Sequence, residues 1–413
     1  MNGWTGGQWS VGRFVFGLYL FVHFVALGPW AVELFSREGV LPDSTSSPLA
    51  RAFPNVLSIW DGPGLATALV LAAAALAIPF ALGWRDRWAA VGIWYVAACL
   101  FGRNPLIANP SLPFVGWMLL VHACAPRAPY GSLDARGRVD PAGGWTMPPA
   151  LHGGAWIVMA VGYSYSGLMK LVSPSWVDGT AIARVLANPL ARTTMVRDAL
   201  LALPAPALAG ATWAALGLEI CFAPLALVRR LRPWLWTALL TLHLGLLVLI
   251  DFADLSLGMV MLHLFTFNPA WIRPKAVAGA TDRIFYDGSC GLCHGLVRAV
   301  IAEDRGGAFR FAPLGSPAFD AAVPLAVRTA LPDSVVVVRA DGVVLARWAA
   351  VVHVLERLGG LWRLLGTTGR ISVPVWIGDR LYDAVARRRT TRFTPPTAAC
   401  PGLPLALRAR FDM

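Results

Sequence analysis

Charged residues, and lysine above all, are scarce in this chain. Of its 413 residues, 14% are charged and 57% are hydrophobic, values that lie below and above those of average soluble domains. Lysine occurs twice, so 33 of the 35 basic residues are arginine. No basic stripe is interleaved with aromatic residues, which argues against nucleic-acid binding despite the net charge of +12. Basic loops beside membrane helices account for the charge more simply.

Cysteine is also scarce, and only two of the six cysteines lie close together in sequence. This pattern excludes a small scaffold held together by disulfides. The chain also lacks internal repeats, a phosphate-binding loop, the H-E-x-x-H zinc motif and a Ser-His-Asp order. The close pair, Cys290 and Cys293, therefore becomes the main candidate for chemistry.

The apolar excess lies before about residue 270 and falls into segments that approach the roughly 20 residues needed to cross a bilayer. The candidate spans are residues 11–34, 64–84, 88–102, 111–125, 153–171, 205–228, 235–252 and 254–268. We therefore predict a polytopic all-α membrane domain over residues 1–275, with about eight spans. Lys and Arg are more numerous on the side that carries the C-terminus, which predicts that both termini are cytoplasmic. The expected location is a bacterial inner membrane, with the lipid bilayer as a partner.

Residues 281–413 show a pattern typical of a soluble α/β domain. Strands are predicted over residues 283–286, 309–314, 331–338 and 343–348. Apolar residues at helical spacing predict helices over residues 290–302 and 349–358, the second ended by two glycines. This order of elements predicts a small domain with helices packed on a central sheet.

The thiol pair lies at the start of the first predicted helix of this domain. Backbone N–H groups without partners and the helix dipole favour an anion there. We therefore expect Cys290 to attack as a thiolate and Cys293, one turn later, to resolve the mixed disulfide. A C-x-x-C pair beside a βαβ-type pattern is typical of thioredoxin-like redox proteins. The alternatives are an inert pair or a metal site, to which only His294 and Cys400 could add ligands.

The segment YDGSCGLCHGLVRAVIAEDRGGAFRFAPLGS, followed by DSVVVV, ERLGG and LYDAVARRR, resembles the DCC family of thiol–disulfide oxidoreductase-like proteins. The Asp-x-x-Cys-x-x-Cys motif of that family matches Asp287, Cys290 and Cys293. The resemblance implies a thioredoxin-like fold, a redox-active Cys290–Cys293 disulfide, and a thiol or disulfide partner that is a protein or a small molecule. Asp287 would tune the thiols or accept a proton, or would simply be the turn residue of an Asp-Gly pair. Pro332 stands where thioredoxin-like folds place a cis-proline.

Lys170 lies at the end of an apolar span, in GYSYSGLMKLVSPSW. A buried lysine can lose its proton and act as a base, whereas arginine stays protonated. The alternative is a lysine that extends to the membrane interface. Glu219 lies within a predicted span and needs a partner, such as Lys170 or a histidine. The other polar groups of the predicted spans, which are most simply structural, are His23, His122, His263, Asp251 and Asp254.

The segments YSYSGLMKLVSPSWVDG and LHLGLLVLIDFADLSLGMVMLHLFTFNPAW are similar to the HTTM family, a membrane domain related to vitamin K-dependent γ-glutamyl carboxylase. In the carboxylase, a lysine in a comparable Gly-x-x-Lys-Leu context deprotonates vitamin K hydroquinone. The resemblance assigns that position to Lys170 and matches His243 to a histidine of the later block. We therefore expect Lys170, His243 and Glu219 to line a site for a quinone or hydroquinone, or another prenyl-type ligand. No lumenal carboxylase region is present, so the resemblance does not imply peptide carboxylation.

The resulting hypothesis is an integral membrane thiol–disulfide oxidoreductase whose dithiol is coupled to a quinone or lipid substrate in the membrane domain. Two alternatives stay open. One is a redox-sensing membrane scaffold or transporter, and the other is a hydroquinone-dependent epoxidase or carboxylase-like enzyme whose thiol domain recycles the cofactor. With eight spans, Lys170 and the thiols would lie on opposite sides of the membrane, so electron transfer would need a mobile lipid carrier or a relay.

Overall fold

A computed structural model of the chain describes residues 2–43, 45, 47–49, 53–276, 281–389, 393 and 396–412. These residues are mostly helical, with one small mixed sheet of four strands. The chain forms two compact units. The helical unit comprises Gly12–Ala125 and Pro148–Phe267, and the dithiol unit comprises Met1–Val11, Pro126–Met147 and Asn268–Met413. The division of the chain into residues 1–275 and 281–413 stays a prediction.

The part of the chain before residue 270 is built from helices. They are α1 (Gly6–Leu27), α2 (Ala31–Phe35), α3 (Pro63–Leu82), α4 (Asp86–Arg103), α5 (Leu112–Cys124), α6 (Pro149–Lys170), α7 (Pro174–Val177), α8 (Ala181–Leu186), α9 (Met195–Leu201), α10 (Ala205–Ile220), α11 (Phe222–Ala226), α12 (Arg232–Leu249) and α13 (Ala253–Thr266). Within the helical unit, α4 packs against α3 and α5, while α13 packs against α5, α6 and α12. Helix α6 also packs against α10, which brings the ends of these two helices together.

Three helical segments among the described residues are long and apolar enough to cross a bilayer: Gly6–Phe35, Pro63–Leu82 and Arg232–Leu249. A fourth would exist if α9 and α10, which are bent by 106° at their junction, formed one broken span. The prediction of about eight spans is therefore wrong. One reason is length, because α5 and α13 have only 13 and 14 residues. Another is charge, because α4 begins at Asp86 and ends at Arg103. The orientation of the termini, which was inferred with eight spans, stays a prediction.

The sheet of the dithiol unit has the order β2-β1-β3-β4. Its strands are β1 (Asp282–Tyr286), β2 (Phe309–Pro313), β3 (Val336–Val338) and β4 (Val344–Ala346). Strand β1 runs parallel to β2 and antiparallel to β3, and β3 is antiparallel to β4. The helices of this region are α14 (Gly291–Glu303), α15 (Pro317–Ala322), α16 (Leu325–Arg328), α17 (Arg347–Leu358), α18 (Gly360–Ser372), α19 (Val375–Ala386) and α20 (Leu405–Arg408).

Alternating side chains of the strands fill an apolar core on each face of the sheet. On one face, Ile284 and Tyr286 pack with residues of α14 and α17. On the other face, Phe285 packs with residues of α15 and with Val336. The position of β1 between β2 and β3 places its C-terminal end, and the loop that leads to α14, at the centre of the sheet edge.

The predicted strand–helix–strand–hairpin–helix order is present in the dithiol unit, with three differences. The strand predicted over residues 343–348 ends at Ala346, because α17 begins at Arg347. The strand predicted over residues 331–338 is shorter, because the N–H of Val335 donates to the hydroxyl of Tyr382 at 2.8 Å and is not available to a neighbouring strand. The predicted cis-proline is wrong: the described residues, which include Pro332, contain no cis peptide bond. The peptide bond before Pro332 is therefore trans, and β3 begins after it, at Val336.

Candidate dithiol active site

Cys290 is the N-cap residue of α14. Its backbone is extended, and its Sγ accepts the N–H of Cys293 at 3.3 Å. The sulfur thus takes the position that a Ser or Asp oxygen occupies at most helix starts, and it pairs with one of the four N–H groups that a helix leaves free. A thiolate gains more from this position than a thiol does, because the N-terminal end of the helix carries partial positive charge.

The loop before the helix is shaped by Asp287. Its Oδ1 accepts the backbone N–H of Ser289 at 2.8 Å and the hydroxyl of Ser289 at 2.6 Å. Its carbonyl accepts the N–H of Cys290 at 3.2 Å. Its Oδ2 lies 3.3 Å from Nη2 of Arg389. Both carboxylate oxygens are therefore engaged, which is the arrangement expected of a turn residue; the role of Asp287 as a proton acceptor stays a prediction.

The two sulfurs differ in environment. Cys290 is only 4% exposed, whereas Cys293 is half-buried. Burial and the hydrogen bond that the Cys293 thiol makes to Cys290 raise the pKa of Cys293 to about 12, against the lowering effect of Arg389. Cys293 is thus held as a thiol at neutral pH, beside a partner sulfur that caps the helix. The helix cap and the raised pKa of Cys293, rather than exposure, therefore separate an attacking sulfur from a resolving one, since Cys290 is the less exposed of the two.

Further groups surround the pair. The His294 ring donates from Nε2 to the carbonyls of Gly288 at 3.0 Å and Ala399 at 3.2 Å. The Tyr286 hydroxyl donates to the same Ala399 carbonyl at 3.0 Å, and burial, followed by the neighbouring Cys400, raises the pKa of Tyr286. All six cysteines carry free thiols. Among the residues that the structure describes, no group of three or more His, Cys, Asp or Glu side chains is arranged to hold a metal ion.

Two residues of this site were missed by the sequence reasoning, Tyr382 and Arg389. Each has an electrostatic interaction with Cys293. Both lie in the LYDAVARRR block: Tyr382 belongs to α19, and Arg389 lies three residues beyond the end of that helix at Ala386. The block was the available signal. It could not show that either residue acts on Cys293, because α19 is 80 residues or more further along the chain.

The helical unit holds a second polar cluster, at Lys170. This residue ends α6, and its Nζ forms an ion pair with the Glu219 carboxylate of α10. The same Nζ lies 4.5 Å from the centre of the Trp176 ring. Glu219 is 5% exposed, so it requires such a partner. The structure therefore places Lys170 and Glu219 together.

His243 lies in a buried group of aromatic side chains of the same unit. Its Nε2 is 2.9 Å from the Tyr163 hydroxyl, and its ring centre is 5.8 Å from that of His263. Within the described part of the chain, Nδ1 of His243 and Nε2 of His263 are buried without a hydrogen-bond partner. Such groups are costly unless something pairs with them. The remaining polar groups predicted in the spans are in separate pairs: His23 with Asp254, His122 with Asp86, and Asp251 with Arg192.

Comparison with known proteins agrees with the dithiol geometry. Residues 284–394, which contain Asp287, Cys290, Cys293 and Arg389, match a family described as DCC1-like thiol-disulfide oxidoreductase. The chain is 32% identical over 110 residues to the "Uncharacterized protein YuxK" of Bacillus subtilis (strain 168), a match that covers 26% of this chain and 76% of that protein. No solved structure matches the chain. Through this C-terminal segment, the chain belongs to the DCC1-like thiol-disulfide oxidoreductase family.

Proposed function

We propose that this protein catalyses thiol–disulfide exchange, with Cys290 as the attacking residue and Cys293 as the resolving residue. The observation that carries the proposal is the hydrogen bond from the Cys293 N–H to Cys290 Sγ at the start of α14. A helix start stabilises negative charge on the sulfur that caps it. The mixed sheet with β1 parallel to β2 also supports a thioredoxin-like fold for this unit.

The exchange proceeds in two steps. The Cys290 thiolate attacks a disulfide of the partner, a protein or a small molecule, and forms a mixed disulfide while one partner thiolate leaves. Cys293 then loses its proton and attacks Cys290 Sγ. The Cys290–Cys293 disulfide forms, the partner is released as its second thiolate, and the proton from Cys293 is available to that thiolate. Two electrons pass from the dithiol to the partner, and the reverse sequence oxidises a partner dithiol.

A Cys293→Ser variant tests the first step. Mixed with oxidised glutathione, it should accumulate a glutathione adduct on Cys290 that dithiothreitol removes, because no resolving thiol remains. The matched Cys290→Ser variant should form no comparable adduct on Cys293 at neutral pH, since burial, the largest cause of the raised pKa of Cys293, remains in that variant. Intact mass measurement gives the adduct count for both variants, in a background where Cys99, Cys124, Cys221 and Cys400 are replaced by serine. Absence of the Cys290 adduct at every glutathione redox ratio would reject the exchange reaction.

We propose further that the protein is embedded in a membrane and binds a quinone-like ligand near Lys170, Glu219 and His243. The ion pair of Lys170 with the buried Glu219 supports this, together with the resemblance to the HTTM family and with Nδ1 of His243, which has no hydrogen-bond partner in the described part of the chain. In the coupled reaction, a hydroquinone gives two electrons and two protons to the Cys290–Cys293 disulfide, which yields a quinone and two thiols. Lys170 would pass its ammonium proton to Glu219 and then take up a proton from the hydroquinone hydroxyl.

The two lysines of the chain provide a matched test of the coupled reaction. The oxidised protein in detergent is mixed with a short-chain ubiquinol, and the thiols that appear are counted. Lys170→Arg keeps the charge and removes the base, so it should slow thiol formation about tenfold or more. Lys275→Arg, at the pair with Glu356, should leave the rate unchanged. Equal rates for wild type and Lys170→Arg would exclude Lys170 as the base.

We also propose that the dithiol faces the cytoplasm. An impermeant thiol reagent added to intact cells should fail to label cysteines engineered near Gly143 and in the C-terminal tail, and should label both after the cells are opened. Labelling of either position in intact cells would contradict the cytoplasmic assignment.

A further inference from the structure

Arg389 is a buried cation beside the dithiol. The residue is 7% exposed, and its Nη2 lies 2.6 Å and 2.8 Å from the two carboxylate oxygens of Asp333. The same Nη2 is 3.3 Å from Oδ2 of Asp287, the residue that shapes the loop before Cys290. One guanidinium therefore joins the loop before α14 to the loop before β3. Desolvation makes such a buried charge act more strongly on its neighbours than a surface charge would.

Cys293 belongs to the same cluster of groups, because Asp287, which pairs with Arg389, opens the loop that leads to the thiols, and because Cys293 packs against the same apolar core as Tyr382. The groups that act on its thiol are Cys290 on its own helix, Asp287 in the preceding loop, Tyr382 of α19, and Arg389. Of these, Cys290 and Asp287 disfavour ionisation of Cys293, as burial does, and Arg389 favours it. Arg389 is thus the cation that counteracts the raised pKa of Cys293.

The balance changes once the mixed disulfide has formed. Cys290 is then bonded to the partner and carries no charge, so it no longer opposes ionisation of Cys293. Burial and Asp287 still oppose ionisation of the Cys293 thiol, and Arg389 still favours it. Attack requires the thiolate of Cys293, since the thiolate is the nucleophile in exchange. The charge of Arg389 has its largest consequence in this step.

We propose that Arg389 stabilises the Cys293 thiolate during resolution of the mixed disulfide, and that Asp333 limits this effect by pairing with Arg389. The inference rests on the proposed exchange reaction and concerns its second step. In that step the Cys293 thiolate forms a bond to Cys290 Sγ, and the bond between Cys290 Sγ and the partner sulfur breaks. The proton that Cys293 loses goes to solvent or to the departing thiolate. Arg389 transfers no proton and acts as a positioning residue.

The two steps separate in a reaction with 5,5′-dithiobis(2-nitrobenzoate), which is the disulfide probe. The first step releases one coloured thionitrobenzoate and leaves a mixed disulfide on Cys290. Attack by Cys293 releases the second. The full chain is used in detergent, in a background where the other cysteines are replaced by serine. Those residues are Cys99, Cys124, Cys221 and Cys400. The rate of the second release is measured as a function of pH.

Arg389→Gln should slow the second release about tenfold at neutral pH and move its pH midpoint upward, because one pKa unit changes the thiolate fraction about tenfold. Arg389→Lys keeps a cation and should recover most of the rate. Asp333→Asn frees the guanidinium from its closest anion and should speed the second release about twofold and lower the midpoint. Asp333 is 78% exposed, so this variant is expected to fold.

The opposite signs of the two effects distinguish electrostatics from structural support. If Arg389 only ties the two loops together, Asp333→Asn breaks the same tie and slows the second release as Arg389→Gln does. That result would overturn the inference, as would an unchanged pH midpoint in Arg389→Gln. A wild-type protein that gives no second release at all would instead reject the exchange reaction itself.

Discussion

Asp282, at the start of β1, is a fully buried carboxylate with partners in the β3–β4 turn and on α17. Its Oδ1 accepts the N–H of Ala340 at 2.9 Å, and its Oδ2 accepts from His353 at 2.8 Å and from Arg357 at 3.0 Å. Burial opposes ionisation, but the hydrogen bonds from His353 and Ala340 and the charge of Arg357 outweigh it and lower the pKa of Asp282. A carboxylate of this kind stabilises the fold only while it is ionised.

Replacement of this carboxylate should destabilise the dithiol unit. Asp282→Ala leaves Arg357 and His353 buried without their anion, which costs about 3–5 kcal/mol. Asp341→Ala is the matched control, because Asp341 is 41% exposed in its pair with Arg339 and should cost no more than about 1 kcal/mol. Both losses of stability are measured by denaturant unfolding of the full chain, with hydrogen exchange of the β1 and β2 amides as the readout. Equal losses would show that the buried network contributes nothing beyond a surface pair.

The same residue has a consequence for pH. Because the pKa of Asp282 is lowered on folding, its contribution is present above the ordinary value of about 3.9 and is lost as pH falls through the lowered value. The free energy of unfolding of the wild type should therefore decrease below about pH 4. Asp282→Asn cannot titrate, so its stability should decrease less steeply over that interval. Parallel curves for the two proteins would contradict the assignment.

At the scale of elements, the contact between α6 and α10 positions the Lys170–Glu219 pair. A methyl group built on Gly167 would lie 2.6 Å from the backbone N of Ile220 and 3.0 Å from the carbonyl carbon of Glu219. The two helices therefore approach as closely as they do because residue 167 has no side chain. Lys170 follows one turn later on α6, where this approach brings it to Glu219.

A Gly167→Ala substitution should push the two helices apart. Overpacking against backbone costs about 1–3 kcal/mol, which exceeds the gain of up to about 1 kcal/mol in helix propensity. Gly153→Ala, in the same helix, meets no atom within 4 Å and should be neutral or slightly stabilising. The thermal midpoints of the two variants in detergent give the comparison. If they coincide, the close approach at Gly167 does not hold the helices in place.

At the scale of the whole molecule, the dithiol unit is assembled from three separate stretches of chain. Glu303, at the end of α14, is 5% exposed and shows how they are joined. Its carboxylate accepts the N–H of Gly7 at 2.8 Å, the indole N–H of Trp362 at 2.7 Å and the hydroxyl of Thr5. Arg305 donates to the carbonyl of Trp4 at 2.8 Å. Residues far apart in sequence therefore complete one unit.

A fragment of residues 281–413 should consequently be less stable than the same segment in the full chain. It lacks the Thr5 and Gly7 partners of Glu303, and each hydrogen bond to a charged group contributes about 1.5–3 kcal/mol. Native-state hydrogen exchange of the β1 and β2 amides, compared between fragment and full chain, gives the difference directly. Glu303→Gln in the full chain should lose part of the same stability. Identical protection in fragment and full chain would show that residues 281–413 form a self-sufficient domain.

The order of elements around the dithiol was predictable from sequence because it depends on short-range physics. Apolar residues at strand spacing specify β1 and β2, and apolar residues at helical spacing specify α14. The place of Cys290 at a helix start follows from where α14 begins. The need of Glu219 for a partner also follows from sequence, since a carboxylate in an apolar segment cannot stand alone. The number of helices long and apolar enough to cross a membrane did not follow, because apolar composition does not reveal where a helix breaks or turns.

The amino-acid sequence by itself determined the thiol pair, its place at a helix start and its family. Only the tertiary structure decided what acts on those thiols. The charge of Arg389 acts on Cys293 although nearly a hundred residues of chain separate them, and Lys170 meets Glu219 because a glycine lets two helices approach. The local periodicity of the sequence does not predict contacts between residues that are far apart in the chain. They arise when buried charges must find partners, and the partner that lies nearest is set by how the elements pack.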